Sequence, residues 1–210
     1  MGRFVNGING PVTGRVGTII GSSRNGVAYV KGPYKKRTKR ISKKEKANRD
    51  RFAMAQLWLQ PVLEFVRQGF RGYSERSEGF VAAKSWLLKN SFEEDETGIR
   101  VNPALVKVSF GDLPASGNIA VSQPSPTQLK FTWDGTLPEG ADPMDQVMLL
   151  AYDVENSKAY FTLTGQFRSV GSDILTIPGT RKKTYHLYGS FVAFDRGRQS
   201  DSVYLGEWNV

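Results

Sequence analysis

The sequence predicts an α+β fold in three consecutive parts: a Gly-rich N-terminal β-hairpin with a basic arm, a helical segment, and an antiparallel β-sandwich. Three observations carry this. Apolar residues recur at steps of three and four between residues 52 and 70, they alternate with polar residues in short runs after residue 99, and glycines punctuate the first 32 residues. The composition is that of a folded chain, since 39% of the 210 residues are hydrophobic and 12 Phe, 8 Tyr and 4 Trp are present.

The opening "NGINGPVTGRVGTIIGSSRNGVAYVKG" reads as short strands. "RVGTII" and "VAYVK" flank "GSSRNG", whose Asn25-Gly26 pair favours a hairpin turn with positive φ. The glycine density suits either a β-arc packed on its own domain or a strip contacting another subunit. After Lys31 the character changes to "KGPYKKRTKRISKKEKANRDR", residues 31–51, with eleven Lys and Arg. Residues 1–50 hold 13 Lys and Arg against 2 Asp and Glu, so the excess of the +9 net charge lies wholly in the first quarter.

Ser42 with Glu45 three positions on forms a capping-box pattern. From there Phe52, Ala55, Leu59, Leu63, Val66 and Phe70 trace one face of a helix, which Pro61 is expected to kink or split by removing a backbone bond. A second helix is expected over 77–91, with Phe80, Val81, Leu87 and Leu88 on one side. "EEDETG" is then expected to close the helical part as a solvated linker.

From Ile99 onward "ALVKVSFGDLP", "GNIAVSQPSPTQLKFTWDG", "DQVMLLAYDVENSKAYFTL", "DILTIPG" and "KTYHLYGSFVAFDRGRQSDSVYLGEW" supply about seven short strands. That number in roughly 110 residues predicts an immunoglobulin/fibronectin-III-like antiparallel β-sandwich. The expected domains are residues 1–98, carrying hairpin, arm and helices, and residues 99–210, the sandwich.

"NGINGPVTGRVGTIIG", the basic linker, "RDRF" and "YGSFVAFDRGRQSDSVYLG" resemble a family of small uncharacterised proteins widespread in Bacteroidetes. The resemblance runs the length of the chain, implies a bacterial or phage origin, and brings no activity or site residues with it.

No catalytic signature emerges. His186 is the only histidine and sits in a strand-like "TYHLY" without a G-x-S-x-G elbow. The chain has no cysteine, no Walker or dinucleotide glycine pattern, and no ligand-spaced cluster for a metal, so neither a cofactor nor a small-molecule substrate is expected. Nor is a membrane span expected, because no apolar run approaches about 18 residues. The N-terminus has no apolar h-region, which fits a cytoplasmic or virion-associated protein.

The candidate interface is the basic run, comprising Lys35, Lys36, Arg37, Lys39, Arg40, Lys43, Lys44 and Lys46, extended by Arg49 and Arg51 onto the first helical turn. Such a density of like charge invites a polyanion, which neutralises it while releasing condensed counterions. The expected function is therefore a non-enzymatic structural or assembly protein, with self-association and phosphate contacts to DNA or RNA. A protein- or glycan-binding module using the loops "DGTLPEGADPMD" and "DRGRQSD" is the alternative.

Overall fold

The computed structural model describes residues 2–4, 6–7, 10–24, 26–36, 38, 40–95, 98–179 and 183–210. The chain divides into two compact units, Met1–Lys43 and Lys44–Val210.

The first unit is an antiparallel meander of β1 (Arg3–Phe4), β2 (Val12–Val16), β3 (Ile19–Arg24) and β4 (Val27–Lys31). The expected single strand "RVGTII" is instead a hairpin, in which Val16 pairs with Ile19 across Gly17 and Thr18. Gly21 to Arg24 belong to β3, so the β3–β4 turn is tighter than the six-residue "GSSRNG" suggested. Gly26 has the expected positive φ, +79°, and Asn25 lies outside the described residues. Gly14, at φ +91°, lets β2 bend, so that Val12 and Thr13 pair with β1 while Gly14 to Val16 pair with β3. The bend brings the Val12 carbonyl over Gly21, where a Cβ would meet it at 1.8 Å. Only Gly21 is buried among the described residues of this unit.

Helix α1 (Lys43–Leu59) starts directly after Ser42, with Glu45 in its first turn. Pro61 splits the apolar stripe as expected, and α2 (Leu63–Gly69) resumes after two tight turns, Val62 N–H to Leu59 O at 3.2 Å and Leu63 N–H to Gln60 O at 3.3 Å. Ala55, Leu59, Phe65, Val66 and Phe70 are fully buried. Phe52, expected among them, is half exposed, with the Lys84 ammonium 4.1 Å above its ring. In α3 (Gly79–Asn90) the buried residues are Gly79, Ala82, Ala83 and Leu87, while Val81 faces solvent. The small alanines carry this contact because they let α3 approach its neighbours closely.

"EEDETG" is not a linker. β5 (Phe92–Asp95) pairs antiparallel with β6 (Gly98–Val101), Glu93 opposite Arg100, and the Glu93 carboxylate accepts from the Asn102 side chain at 2.7 Å. Glu96 lies outside the described residues. "ALVKVSFGDLP", expected as a strand, is a 3-10 turn (Pro103–Leu105) followed by extended chain held by isolated bridges from Asp112 and Leu113 to Ser200. The terminal "SDSVY" secures this segment. The Ser109 hydroxyl donates to Ser200 O at 2.6 Å, Val108 N–H to the Ser202 hydroxyl at 3.0 Å, and Gly111 N–H to the Asp201 carboxylate at 3.2 Å.

Seven strands follow: β7 (Ala120–Ser125), β8 (Gln128–Thr132), β9 (Gln146–Asp153), β10 (Lys158–Thr162), β11 (Ser172–Thr176), β12 (Thr184–Val192) and β13 (Val203–Asn209). They form one sheet in the order β11-β8-β7 and another in the order β10-β9-β12-β13. This three-on-four antiparallel arrangement is the predicted immunoglobulin/fibronectin-III-like sandwich. Between the sheets Leu129, Phe131, Val147, Leu149, Ala151, Leu187 and Phe191 form one core.

The central strands of the larger sheet, β9 and β12, are buried on both faces. Along β9, Val147, Leu149 and Ala151 enter the sandwich, while the alternate Met148, Leu150 and Tyr152 pack with Leu59, Phe65, Val66 and Leu87 of the helices. Trp58 meets Tyr152 edge-on at 4.9 Å, and the Tyr152 hydroxyl donates to Trp58 O at 2.8 Å. Burial, with the Asp153 charge adding to it, pushes the Tyr152 phenol up to about 12. The expected boundary at residue 98/99 therefore differs from the one observed at 43/44, because the helices cover an apolar sheet face that would otherwise stand in water.

Candidate nucleic-acid interface

The described residues between Gly32 and Ser42 have no regular secondary structure. Pro33 lacks a donor, and a run of like charges gains nothing from being drawn together. Lys35, Lys36 and Arg40 are exposed there, and Arg37 and Lys39 lie outside the described residues. Lys43, Lys44 and Lys46 are exposed in the first turn of α1, beside Glu45. Cations at this positive end of the helix dipole cost about 0.3–1 kcal/mol each, which an anionic partner offsets.

Arg49 and Arg51 are not in the first turn, as expected from the sequence, because α1 begins six residues before Arg49. Arg49 remains exposed but pairs with Glu45 at 2.9 Å, an i,i+4 contact worth about 0.3–0.5 kcal/mol. Arg51 serves the fold. Its guanidinium lies 4.8 Å over the Phe92 ring and donates to Leu88 O at 3.5 Å, tying α1 to α3 and β5. Position along the helix explains the difference, since Arg51 lies two turns beyond Lys44 on the same side of α1 and so reaches Leu88 and Phe92.

The strands of the first unit add cations that the sequence reading left out of the interface: Arg3, Arg15, Arg24 and Lys31, all exposed. The signal for them was the complete absence of acids before Glu45. Residues 1–43 carry ten Lys and Arg and no Asp or Glu, whereas residues 44–210 carry nineteen Lys and Arg against twenty Asp and Glu.

In the second unit several polar side chains close on one another. Arg168 and Asp145 are fully buried and paired at 3.2 Å. Arg168 also donates to the Ser116 hydroxyl at 2.9 Å and to Pro114 O at 2.7 Å, and its guanidinium sits 4.1 Å over the Phe191 ring. Burial lowers its pKa, against the charge of Asp145. "DRGRQSD" is similarly engaged, with Arg196 bonded to Leu163 O and Gln146, Arg198 to Asp112 at 3.1 Å, and Gln199 to Arg71 O and Phe110 O at 2.8 and 2.9 Å. His186 is a strand residue of β12, its Nδ1 3.0 Å from the Tyr204 hydroxyl. Burial lowers its pKa, while the charges of Glu207 and Glu155 oppose the shift.

Among the described residues, no group of three His, Asp or Glu could hold a metal ion, and no helix is long and apolar enough to cross a membrane. A sequence profile of DUF6266, a family of unknown function, matches residues 11–206. The chain belongs to this family. The match spans most of both units and agrees with the resemblance carried by the glycine pattern and the "SDSVY" terminus. No curated protein matches. A solved structure similar to part of the chain is the solution structure of the fn3 domain of human collagen alpha-1(XX) chain, 15% identical, covering 47% of this chain and 85% of that one at a TM-score of 0.34.

Proposed function

We propose that this DUF6266 chain is a non-enzymatic structural protein of a phage- or virion-like assembly. Its basic N-terminal region contacts nucleic acid, or an acidic neighbouring subunit, through charge and without sequence specificity. The observation that carries this reading is the segregation of charge: ten cations and no acid in residues 1–43, beside a near-neutral second unit. Like charges at that density raise the free energy of the free chain, and a polyanion relieves it. Phosphates supply such charge without regard to base identity.

The test is mass in solution by light scattering over a salt series, with and without single-stranded and duplex nucleic acid. It compares the chain with a variant in which Lys35, Lys36, Arg37, Lys39 and Arg40 become Gln. Neutralising about six phosphates gives log K a slope near −5 against log salt, and the variant is expected to flatten it. Salt-sensitive assembly without nucleic acid selects the acidic-subunit branch. A monomer that ignores both nucleic acid and itself at low salt ends the proposal.

A further inference from the structure

The side chains of β2, β3 and β4 sort by charge onto the two faces of their sheet. Residues directly opposite one another in an antiparallel pair project from the same face, and neighbours along a strand from opposite faces. Arg15 stands opposite Ile20, and Ile20 opposite Lys31. Two residues along, Ser22 stands opposite Tyr29, and two further, Arg24 opposite Val27. One face therefore carries Arg15, Lys31 and Arg24 with Tyr29 among them. The other presents Gly14, Val16, Ile19, Gly21, Ser23, Ala28 and Val30, without a charge. Every cation of these three strands lies on one side.

That face is open and its charges are not neutralised within the unit. Arg15, Arg24 and Lys31 are exposed, Tyr29 is 43% exposed, and residues 1–43 contain no acid. Arg15 is steadied at the hairpin end, its Nε donating to Gly17 O at 3.2 Å. Strand spacing near 4.8 Å sets the backbones of Arg15 and Lys31 about 10 Å apart. A rise near 3.4 Å per residue sets the Arg24 row about 14 Å from the Lys31 row, with the Tyr29 row midway.

We infer that this face is a platform for single-stranded nucleic acid, with phosphates on Arg15, Arg24 and Lys31 and an unstacked base on the Tyr29 ring. The inference rests on the reading above that the N-terminal region binds a polyanion, and it identifies the polyanion and places it on the folded sheet rather than the arm alone. A ring amid cations is what distinguishes the ligand. Stacking needs a base free of its own stack, which a single strand offers and a duplex or an acidic protein surface does not.

The experiment uses the full chain and fluorescence anisotropy of a labelled single-stranded 20-mer and a duplex of the same length, over a salt series. Tyr29→Ala is expected to weaken single-strand binding about tenfold without changing the salt slope or duplex binding, and Tyr29→Phe to retain it. The triple variant Arg15→Gln, Arg24→Gln, Lys31→Gln is expected to flatten the single-strand slope by about 2. Full binding by Tyr29→Ala and the triple variant, with loss only on neutralising Lys35, Lys36, Arg37, Lys39 and Arg40, overturns the platform and leaves the broader reading standing. An equal loss in Tyr29→Phe, or in Val30→Ser on the uncharged face, also overturns it, because the effect then follows the sheet and not the ring. No binding of either nucleic acid by the unaltered chain at low salt overturns both.

Discussion

The two units solve opposite problems. Residues 44–210 hold every buried hydrophobic side chain among the described residues, and their charges balance to within one. Residues 1–43 carry only positive charge, and their described residues bury one glycine and expose Phe4, Val27, Tyr29 and Val30. Fully burying a large apolar side chain contributes about 1.5–3 kcal/mol, so the second unit is held by its own core. A small sheet with no core is marginal in water. The contrast separates cohesion from contact: one unit makes the fold, and the other presents a surface.

That contrast breaks first at Arg168. Arg168→Ala leaves the buried Asp145 carboxylate without its paired guanidinium, with only the Asp142 N–H still donating to it, and is expected to cost about 3–5 kcal/mol in chemical denaturation. A cost under 1 kcal/mol would mean that water reaches Asp145 and the pair is not sealed. Next come Leu149→Ala and Leu150→Ala, neighbours on β9 that face the sandwich and the helices respectively. Each is expected to cost about 2–5 kcal/mol. Both should preserve a single coincident transition by circular dichroism and tryptophan fluorescence, since one sheet joins the two cores. Two separated transitions in Leu150→Ala would restore a domain boundary near residue 98.

A smaller effect is expected from pH. The folded-state pKa of His186 is held below its ordinary 6.5, chiefly by burial, so as pH falls through that value the unfolded chain takes up the proton first. The stability associated with the neutral ring is complete above pH 6.5 and declines below it. The difference in unfolding free energy between the unaltered chain and His186→Gln should therefore shrink from pH 7.5 to pH 5.5, and a constant or growing difference would contradict the burial of the ring. The smallest effect belongs to the first unit. Val27→Ala, at a position 68% exposed, is expected to change the main unfolding transition by no more than about 0.5 kcal/mol.

Periodicity made much of this fold legible. The alternating runs from residue 117 onward contain β7 to β13, Pro61 divides α1 from α2, and Ser42 marks the start of a helix. The arm is legible as charge, although the cations of the sheet, Arg15, Arg24 and Lys31, stand apart from its dense run. The misreadings came where local pattern is ambiguous. "EEDETG" has the composition of a solvated linker, yet Glu93, Glu94 and Asp95 pair with β6 between α3 and the sandwich. "VMLLAY" was read simply as part of an alternating strand, although an unbroken apolar run marks a strand covered on both sides.

The sequence by itself determined the helices, the later sandwich strands, their order and the placement of charge, because hydrophobic period, proline geometry and net charge are local properties of the chain. Only the tertiary structure decided that the helices and sandwich share a sheet, that Arg51 and Arg168 are spent on packing, and that Arg15, Arg24 and Lys31 surround Tyr29 on one face. Those facts depend on which residues meet across long separations, and strand register and helix facing are fixed by the whole core at once.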